Sequence, residues 1–187
     1  SVATGKLPIG NVTLGDSIAV NGVCLTAVEL TENSFVADVS RETLSLTSLG
    51  NLEAGSNVNL ELALTLQNHL GGHLVSGHVD GLGSVEDRHD DGRSVWFKIK
   101  APTELAKYIA AKGSITIDGV SLTVNRVDGC DFEINTIPQT LKETIIGGYQ
   151  AGTPVNLEVD LVARYLERLL LGEKAAISDT VSGSRLS

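Results

Sequence analysis

Residues 17–64 and 114–161 are two copies of one segment. At an offset of 97 the 48 positions align without a gap, and 18 of them are identical. A repeat of this length means that one supersecondary unit is built twice, so it constrains the fold more than any local pattern does. The shared frame runs Ser-Ile, three residues, Gly-Val, Cys or Ser, then Leu-Thr. It continues through a Phe, a Thr-Leu-x-x-Thr-x-x-Gly run, and Ala-Gly-x-x-Val-Asn-Leu-Glu.

Inside each copy the pattern is β. Asn21-Gly22 and Asp118-Gly119 break apolar and threonine-rich runs with dipeptides that suit tight turns. Residues 31–34 and 128–131 are the matching hairpin turns, each leading into a strand that carries a Phe. Residues 58–62 and 155–159 alternate apolar and polar, which predicts half-buried strands. Short strands joined by glycine-rich turns predict a small closed barrel, twice.

Residues 101–112, with Pro102 near the start and Leu105, Tyr108 and Ile109 at helical spacing, predict a short helix. The counterpart at 5–15 is a poorer helix because of Pro8 and Gly10. Residues 162–171 predict a stronger one, in which Leu161, Val162, Tyr165, Leu166, Leu169 and Leu170 form a stripe opposite Arg164, Glu167 and Arg168. That stripe lies outside both repeats and needs a cover, either the barrel or another copy of the chain. Beyond Gly172 the polar tail is expected to be loose.

The same offset pairs Lys98 with Ser1, so residues from about 75 to 97 have no counterpart. The first copy is therefore expected to lack a strand and its hairpin, which belong upstream of Ser1. The chain has no Met, which agrees with a missing natural start. The domains expected are 1–73, 74–160 and a C-terminal helix with tail at 161–187.

The formal charge of −9 and the pI near 4.8 argue against nucleic acid and anionic membranes as partners. The longest apolar runs, such as the three leucines at 169–171, are too short to span a bilayer. No basic-then-apolar leader is present, so a cytoplasmic location is expected. Two cysteines in a chain of this size do not make a disulfide scaffold, and Cys24 and Cys130 are both expected to be reduced.

Chemistry is sought where the copies differ. Cys24 stands opposite Ser121, Asn21 opposite Asp118, Asp38 opposite Asn135 and Ala63 opposite Asp160, which implies two similar pockets carrying different reactive groups. Residues 71–81 add His73, Ser76, His78, Asp80 and four glycines at the junction of the copies. His69 and His73 are four apart, but Gly71 and Gly72 make a helix between them unfavourable, so a zinc pair on one face is not expected. Neither a phosphate loop nor a dinucleotide fingerprint is present.

Read together, Asn-Gly-Val-Cys-Leu-Thr at 21–26, Ser-Arg-Glu-Thr-Leu at 40–44, Gly-Gly-His-Leu-Val-Ser-Gly-His-Val at 71–79, Lys112-Gly113, Ile-Asp-Gly-Val-Ser-Leu-Thr-Val at 117–124 and Ile-Pro-Gln-Thr-Leu at 137–141 carry a resemblance. The chain resembles the riboflavin synthases of the alpha-subunit type, the lumazine-binding double-barrel family, over nearly its whole length. The resemblance implies an all-β fold of two similar six-stranded Greek-key barrels plus a C-terminal helix that assembles a homotrimer. It implies a transferase that needs no cofactor and no metal: two molecules of 6,7-dimethyl-8-ribityllumazine exchange a four-carbon unit to give riboflavin and 5-amino-6-ribitylamino-uracil. A non-catalytic lumazine or flavin carrier of the same fold is the alternative.

Carried over by position, the first pocket would hold Cys24, Leu25 and Thr26, then Asp38, Val39, Ser40, Arg41, Glu42 and Thr43, then Gly77, His78 and Val79. The second would hold Lys112, Ser121, Leu122, Thr123, Ile137, Pro138, Gln139 and Thr140. Catalytic roles are implied for His78, Cys24, Ser121, Thr123 and Asp160, with active sites completed between subunits. The family also begins with a short strand that is absent here.

Overall fold

The computed structural model describes residues 1–65 and 69–176. Eleven strands and three α-helices are found among them. The first copy holds β1 (Val2–Ala3), β2 (Ser17–Val20), β3 (Val23–Leu30), β4 (Ser34–Ala37), α1 (Arg41–Leu46) and β5 (Leu60–Leu62). The second holds β6 (Gly81–Asp91), β7 (Ser94–Lys100), β8 (Ser114–Ile117), β9 (Val120–Asp128), β10 (Asp131–Thr136), α2 (Pro138–Glu143) and β11 (Pro154–Val159), and α3 (Leu161–Leu170) follows.

In the second copy the strands close into a barrel in the order β10-β7-β6-β11-β8-β9. Phe97, Ile99, Ile115, Ile117, Phe132, Ile134 and Leu157 fill it, all 1% exposed or less. The first copy repeats this arrangement, with β1, β4, β3, β2 and β5 at the places of β7, β10, β9, β8 and β11. Its sheet is curled and open, however, in the order β1-β4-β3-β2-β5 around Ile18, Val20 and Phe35. No described strand stands between β1 and β5, where β6 stands between β7 and β11 in the second copy.

Both Asn/Asp-Gly dipeptides form two-residue hairpin turns with positive φ at both positions: 47° and 75° at Asn21-Gly22, 45° and 84° at Asp118-Gly119. These turns lie against each other. A Cβ on Gly22 would come 2.6 Å from the Gly119 amide nitrogen, and one on Gly119 would come 2.9 Å from that of Gly22, so only glycine fits either place.

The repeat's Asn-Leu-Glu strands join the two copies with near two-fold symmetry. Asn59 accepts the Ile145 amide at 2.8 Å and donates to the Asp118 carbonyl at 2.9 Å. Asn156 accepts the Ser48 amide at 2.7 Å and donates to the Asn21 carbonyl at 2.8 Å. The half-buried reading of residues 155–159 is therefore corrected. Asn156 is 1% and Glu158 5% exposed, because the polar face of β11 meets the first copy at Asn156 and the Ser76-Gly77 turn at Glu158 rather than solvent.

The helix predicted at 101–112 shrinks to one 3-10 turn, Ala106–Tyr108. Buried Leu105 and Ile109 draw this stretch into the core, and the Lys112 amide then bonds to the Val124 carbonyl at 2.7 Å, so the chain straightens to reach β9. At the C-terminus α3 is capped by Asp160, whose carboxylate accepts the Val162 amide at 2.9 Å. It docks by its charged face. Arg164 pairs with Asp80, and Glu167 accepts from Lys107 and Tyr108. The apolar stripe consequently points away from the barrel, with Val162, Tyr165, Leu166, Leu169 and Leu170 54–86% exposed. Gly172–Ala176 forms a 3-10 turn, and the rest of the expected loose tail, 177–187, lies outside the described residues.

Candidate active site

Strand period places the reactive pairs. Along β3 the residues Val23, Leu25 and Ala27 turn inward, so Cys24 and Thr26 are exposed on the outer face. Ser121 and Thr123 hold the same places on β9, with Val124 inward. Leu25 lies in the first core and Leu122 packs against the second, so neither presents its side chain to that outer face.

Beside β3, the pairing of Ala27 with Ala37 carries Asp38, Val39 and Ser40 past Thr26. Ser40 caps α1, accepting the Thr43 amide at 3.0 Å, and so fixes the turn that bears Arg41 and Glu42. Gly77 joins the group because its carbonyl accepts the Cys24 amide at 2.9 Å. A side chain at Gly77 would strike Cys24 Cβ at 2.7 Å. His78 follows, exposed, and Val79 packs on the first core.

The second group is built alike. Pairing of Ile134 with Val124 brings the chain past Thr123 into exposed Ile137, Pro138 and Gln139 and half-buried Thr140 at the start of α2. Lys112 stands beside β9 with φ at 66°, where the first copy has Gly15 at φ 94°. An L-residue in that region costs about 1–2 kcal/mol, so the second copy carries its lysine against a backbone penalty that the first copy avoids.

One short segment touches both groups. Five residues before Gly77, a side chain on Gly72 would meet Ser121 Oγ at 2.4 Å. That close approach sets His73 Nδ1 2.8 Å from Ser121 Oγ, while His73 Nε2 lies 3.1 Å from the hydroxyl of buried Thr116. Cys24, Ser121, Glu61, His73 and both glycines line a cavity of about 710 Å³ between the copies.

The sequence profile of the lumazine binding domain matches residues 3–63 and again 76–160. The chain belongs to the lumazine binding domain family. Among its relatives, a riboflavin synthase of Photobacterium phosphoreum is 49% identical over 93% of this chain and 80% of that one. A riboflavin synthase of Actinobacillus pleuropneumoniae is 50% identical over 88% and 77%, and one of Bacillus subtilis 44% identical over 86% and 74%. In structure the chain is similar to LumP complexed with riboflavin, at a TM-score of 0.74 and 26% identity, covering 81% of this chain and 82% of that one. LumP complexed with 6,7-dimethyl-8-(1'-D-ribityl) lumazine gives 0.72 at 26% identity, with 81% of each chain covered.

Within this lumazine-binding frame, the differences between copies divide into two kinds. Cys24 and Ser121 line the cavity. Asn21 and Asp118 are structural instead: Asn21 accepts the Asn59 amide at 2.8 Å, as Asp118 accepts that of Asn156 at 3.0 Å. The second Asp118 oxygen takes the Tyr149 hydroxyl, whose counterpart in the first copy is Leu52. Burial, and then the neighbouring carboxylate, hold that phenol protonated well above its ordinary range. Asn135 donates to Asp91 at 2.7 Å and to Ser94, tying β10 to the β6–β7 hairpin. Asp160 caps α3, and no described contact links it to Cys24, His78 or Ser121.

The sequence reading named His73 without a partner or a role, and it missed Glu61 and Glu158. Glu158 accepts the Ser76 amide at 2.7 Å, the Ser76 hydroxyl at 2.6 Å and the Gly77 amide at 3.0 Å. Its identity in both copies was the available signal, hidden by an alternation that resembles a solvated strand face.

Proposed function

We propose that the chain is a riboflavin synthase that dismutates two molecules of 6,7-dimethyl-8-ribityllumazine into riboflavin and 5-amino-6-ribitylamino-uracil. The observation that carries this reading is identity of 44–50% with riboflavin synthases over 86–93% of the chain. The duplicated fold suits it. Two copies of one substrate react best when two related pockets present them to each other, and proximity supplies much of the rate. The two products together contain the atoms of the two substrates, so no oxidant or reductant enters the balance.

The chemistry asks for loss of a proton from a ring methyl, addition to a ring carbon, and eliminations. In the first half-site, Cys24 and Thr26 face the ligand with His78 beside them, and His78 takes the methyl proton together with Thr123 of the facing half-site. In the second, Ser121 adds to the ring or directs water to it, with its hydroxyl oriented by His73 and with the charges of Lys112 and Asp160 nearby. Binding falls to the same two faces, with Leu25, Val79 and Leu122 offering backbone only: Leu25, Asp38, Val39, Ser40, Arg41, Glu42, Thr43, Gly77 and Val79 on one, and Leu122, Ile137, Pro138, Gln139 and Thr140 on the other.

Both faces are open to solvent, which fits completion by another subunit. The outward stripe of α3 supplies the contact: it joins three copies so that the first half-site of one meets the second half-site of its neighbour. We place the protein in the cytoplasm; no described helix is long and apolar enough to cross a membrane. Domains at 1–73 and 74–160, with the first barrel completed by a strand upstream of Ser1, belong to the same reading.

A carrier that binds lumazine without turnover is the second reading, supported by the likeness to LumP at 26% identity against 49% for the synthase of Photobacterium phosphoreum. Incubation with the lumazine alone separates the two. Riboflavin should accumulate; recovery of unchanged, protein-bound lumazine would favour the carrier.

A further inference from the structure

One buried difference between the copies is a hydroxyl: Thr116 on β8 stands where the first copy has Ala19 on β2. Across the sheet Thr116 is opposite Ser121 of β9, as Ala19 is opposite Cys24 of β3. Both substitutions therefore add a hydroxyl to the second copy, side by side on one face. A single imidazole joins the two. His73 Nδ1 lies 2.8 Å from Ser121 Oγ, and His73 Nε2 lies 3.1 Å from Thr116 Oγ1.

The direction of these bonds follows from what else each group can reach. A hydroxyl has one proton to give and two lone pairs, and a neutral imidazole has one nitrogen that donates and one that accepts. Thr116 is 1% exposed, and among the described residues its hydroxyl meets no acceptor but His73 Nε2. A proton on Nε2 would leave the Thr116 O–H buried with nothing to accept it, a state that buried polar groups avoid because their hydration is lost without return. A proton on Nδ1 instead lets both bonds form. Ser121 Oγ then accepts from Nδ1–H, and the His73 amide donates to it as well, at 3.4 Å. With both lone pairs engaged, the Ser121 proton is left to point into the cavity that Ser121 shares with Cys24.

We infer that Thr116 is a positioning residue of the second half-site: it donates to His73 Nε2, holds the imidazole proton on Nδ1, and so makes Ser121 a hydrogen-bond donor to what binds there. This rests on the reading of Ser121 as part of a lumazine site and narrows it. An oxygen that already accepts twice has no lone pair with which to attack a ring carbon, so Ser121 holds water or a ring acceptor in place and does not itself add. Thr116 does not line the cavity and acts only through His73, because the bond made by one ring nitrogen decides the protonation of the other.

Imidazole NMR of the intact chain, labelled with 15N in its histidines and held at the pH of the activity assay, reads the tautomer directly, with His73→Gln identifying the signal. In wild type Nδ1 should carry the proton and Nε2 none. A proton on Nε2, alone or with one on Nδ1, overturns the inference. Thr116→Val keeps the shape and removes the donor. Its His73 signal should shift toward the other tautomer, and kcat for riboflavin formation should fall about tenfold, the scale of one lost hydrogen bond, with KM changed by less than about twofold. Thr116→Ser, which returns the hydroxyl, should restore both. An unchanged signal or an unchanged kcat in Thr116→Val, or no rescue by Thr116→Ser, overturns the role of Thr116. The NMR arm needs no turnover, so its failure is distinct from failure of the synthase reading, which would show as wild type making no riboflavin.

Discussion

Replacing Asp118 by Asn should stabilise the protein at neutral pH, by an amount that vanishes in acid. Asp118 is 1% exposed beneath its hairpin turn. Burial pushes its carboxyl from 3.8 up to about 6, against the opposing pull of the Tyr149 hydroxyl and the Asn156 amide. The sign follows from proton linkage. A group whose folded value is raised contributes stability that is complete below its unfolded value, here near 3.8, and is lost as pH rises through about 6. With roughly two units between the states and about 1.36 kcal/mol per unit, the charged carboxylate costs on the order of 3 kcal/mol above pH 6.

An amide at this position keeps the oxygen that accepts the Asn156 amide, the job Asn21 performs for Asn59 in the first copy. Urea denaturation of wild type and Asp118→Asn at one protein concentration, from pH 4 to 8, measures the effect. The advantage of the variant should grow by roughly 2 kcal/mol across that range, mostly between pH 4 and 6. A difference that is constant with pH would refute the reasoning, because it would mean that Asp118 titrates alike in the folded and unfolded chain.

Three further outcomes are expected. Gly72→Ala should lower riboflavin formation severely while changing stability by less than about 1 kcal/mol, since the new methyl displaces His73 from Ser121 on an exposed segment; steady-state kinetics and thermal melts check it. Lys112→Gly should leave stability unchanged or raise it by up to about 1 kcal/mol, relieving the left-handed backbone, while activity falls with the lost charge; the same two assays apply. Leu169→Glu with Leu170→Glu should yield folded monomers by sedimentation, because these two side chains, 75% and 86% exposed in the single chain, are the apolar tip of the proposed contact.

The duplication made most of the architecture legible. An offset of 97 carried the β class, the turn chemistry and the doubled barrel plan, because each depends on local pattern repeated twice. What it concealed was the contact between the copies. Asn59, Asn156 and Glu158 read as the solvent side of alternating strands, and only the apposition of the Asn21-Gly22 and Asp118-Gly119 turns reveals that this side faces protein. The same blindness made Asn21/Asp118 look reactive, although Tyr149 in place of Leu52 explains the extra carboxylate oxygen. For the site, period two along β3 and β9 turns Cys24, Thr26, Ser121 and Thr123 outward, an orientation the sequence reading did not draw. His73 was named without partners, because Ser121 and Thr116 lie 48 and 43 residues away in sequence.

In the proposed assembly two different half-sites of the repeat meet between subunits. Mixing two impaired chains tests it most directly, one carrying Thr26→Val with His78→Gln and the other Lys112→Ala with Ser121→Ala. Each alone should make little riboflavin. After joint dissociation and reassembly, random pairing restores about a quarter of the intact sites (half times half), and a matching fraction of wild-type riboflavin formation should return. No recovery above the separately measured chains, in mixed oligomers verified by mass, would contradict the account.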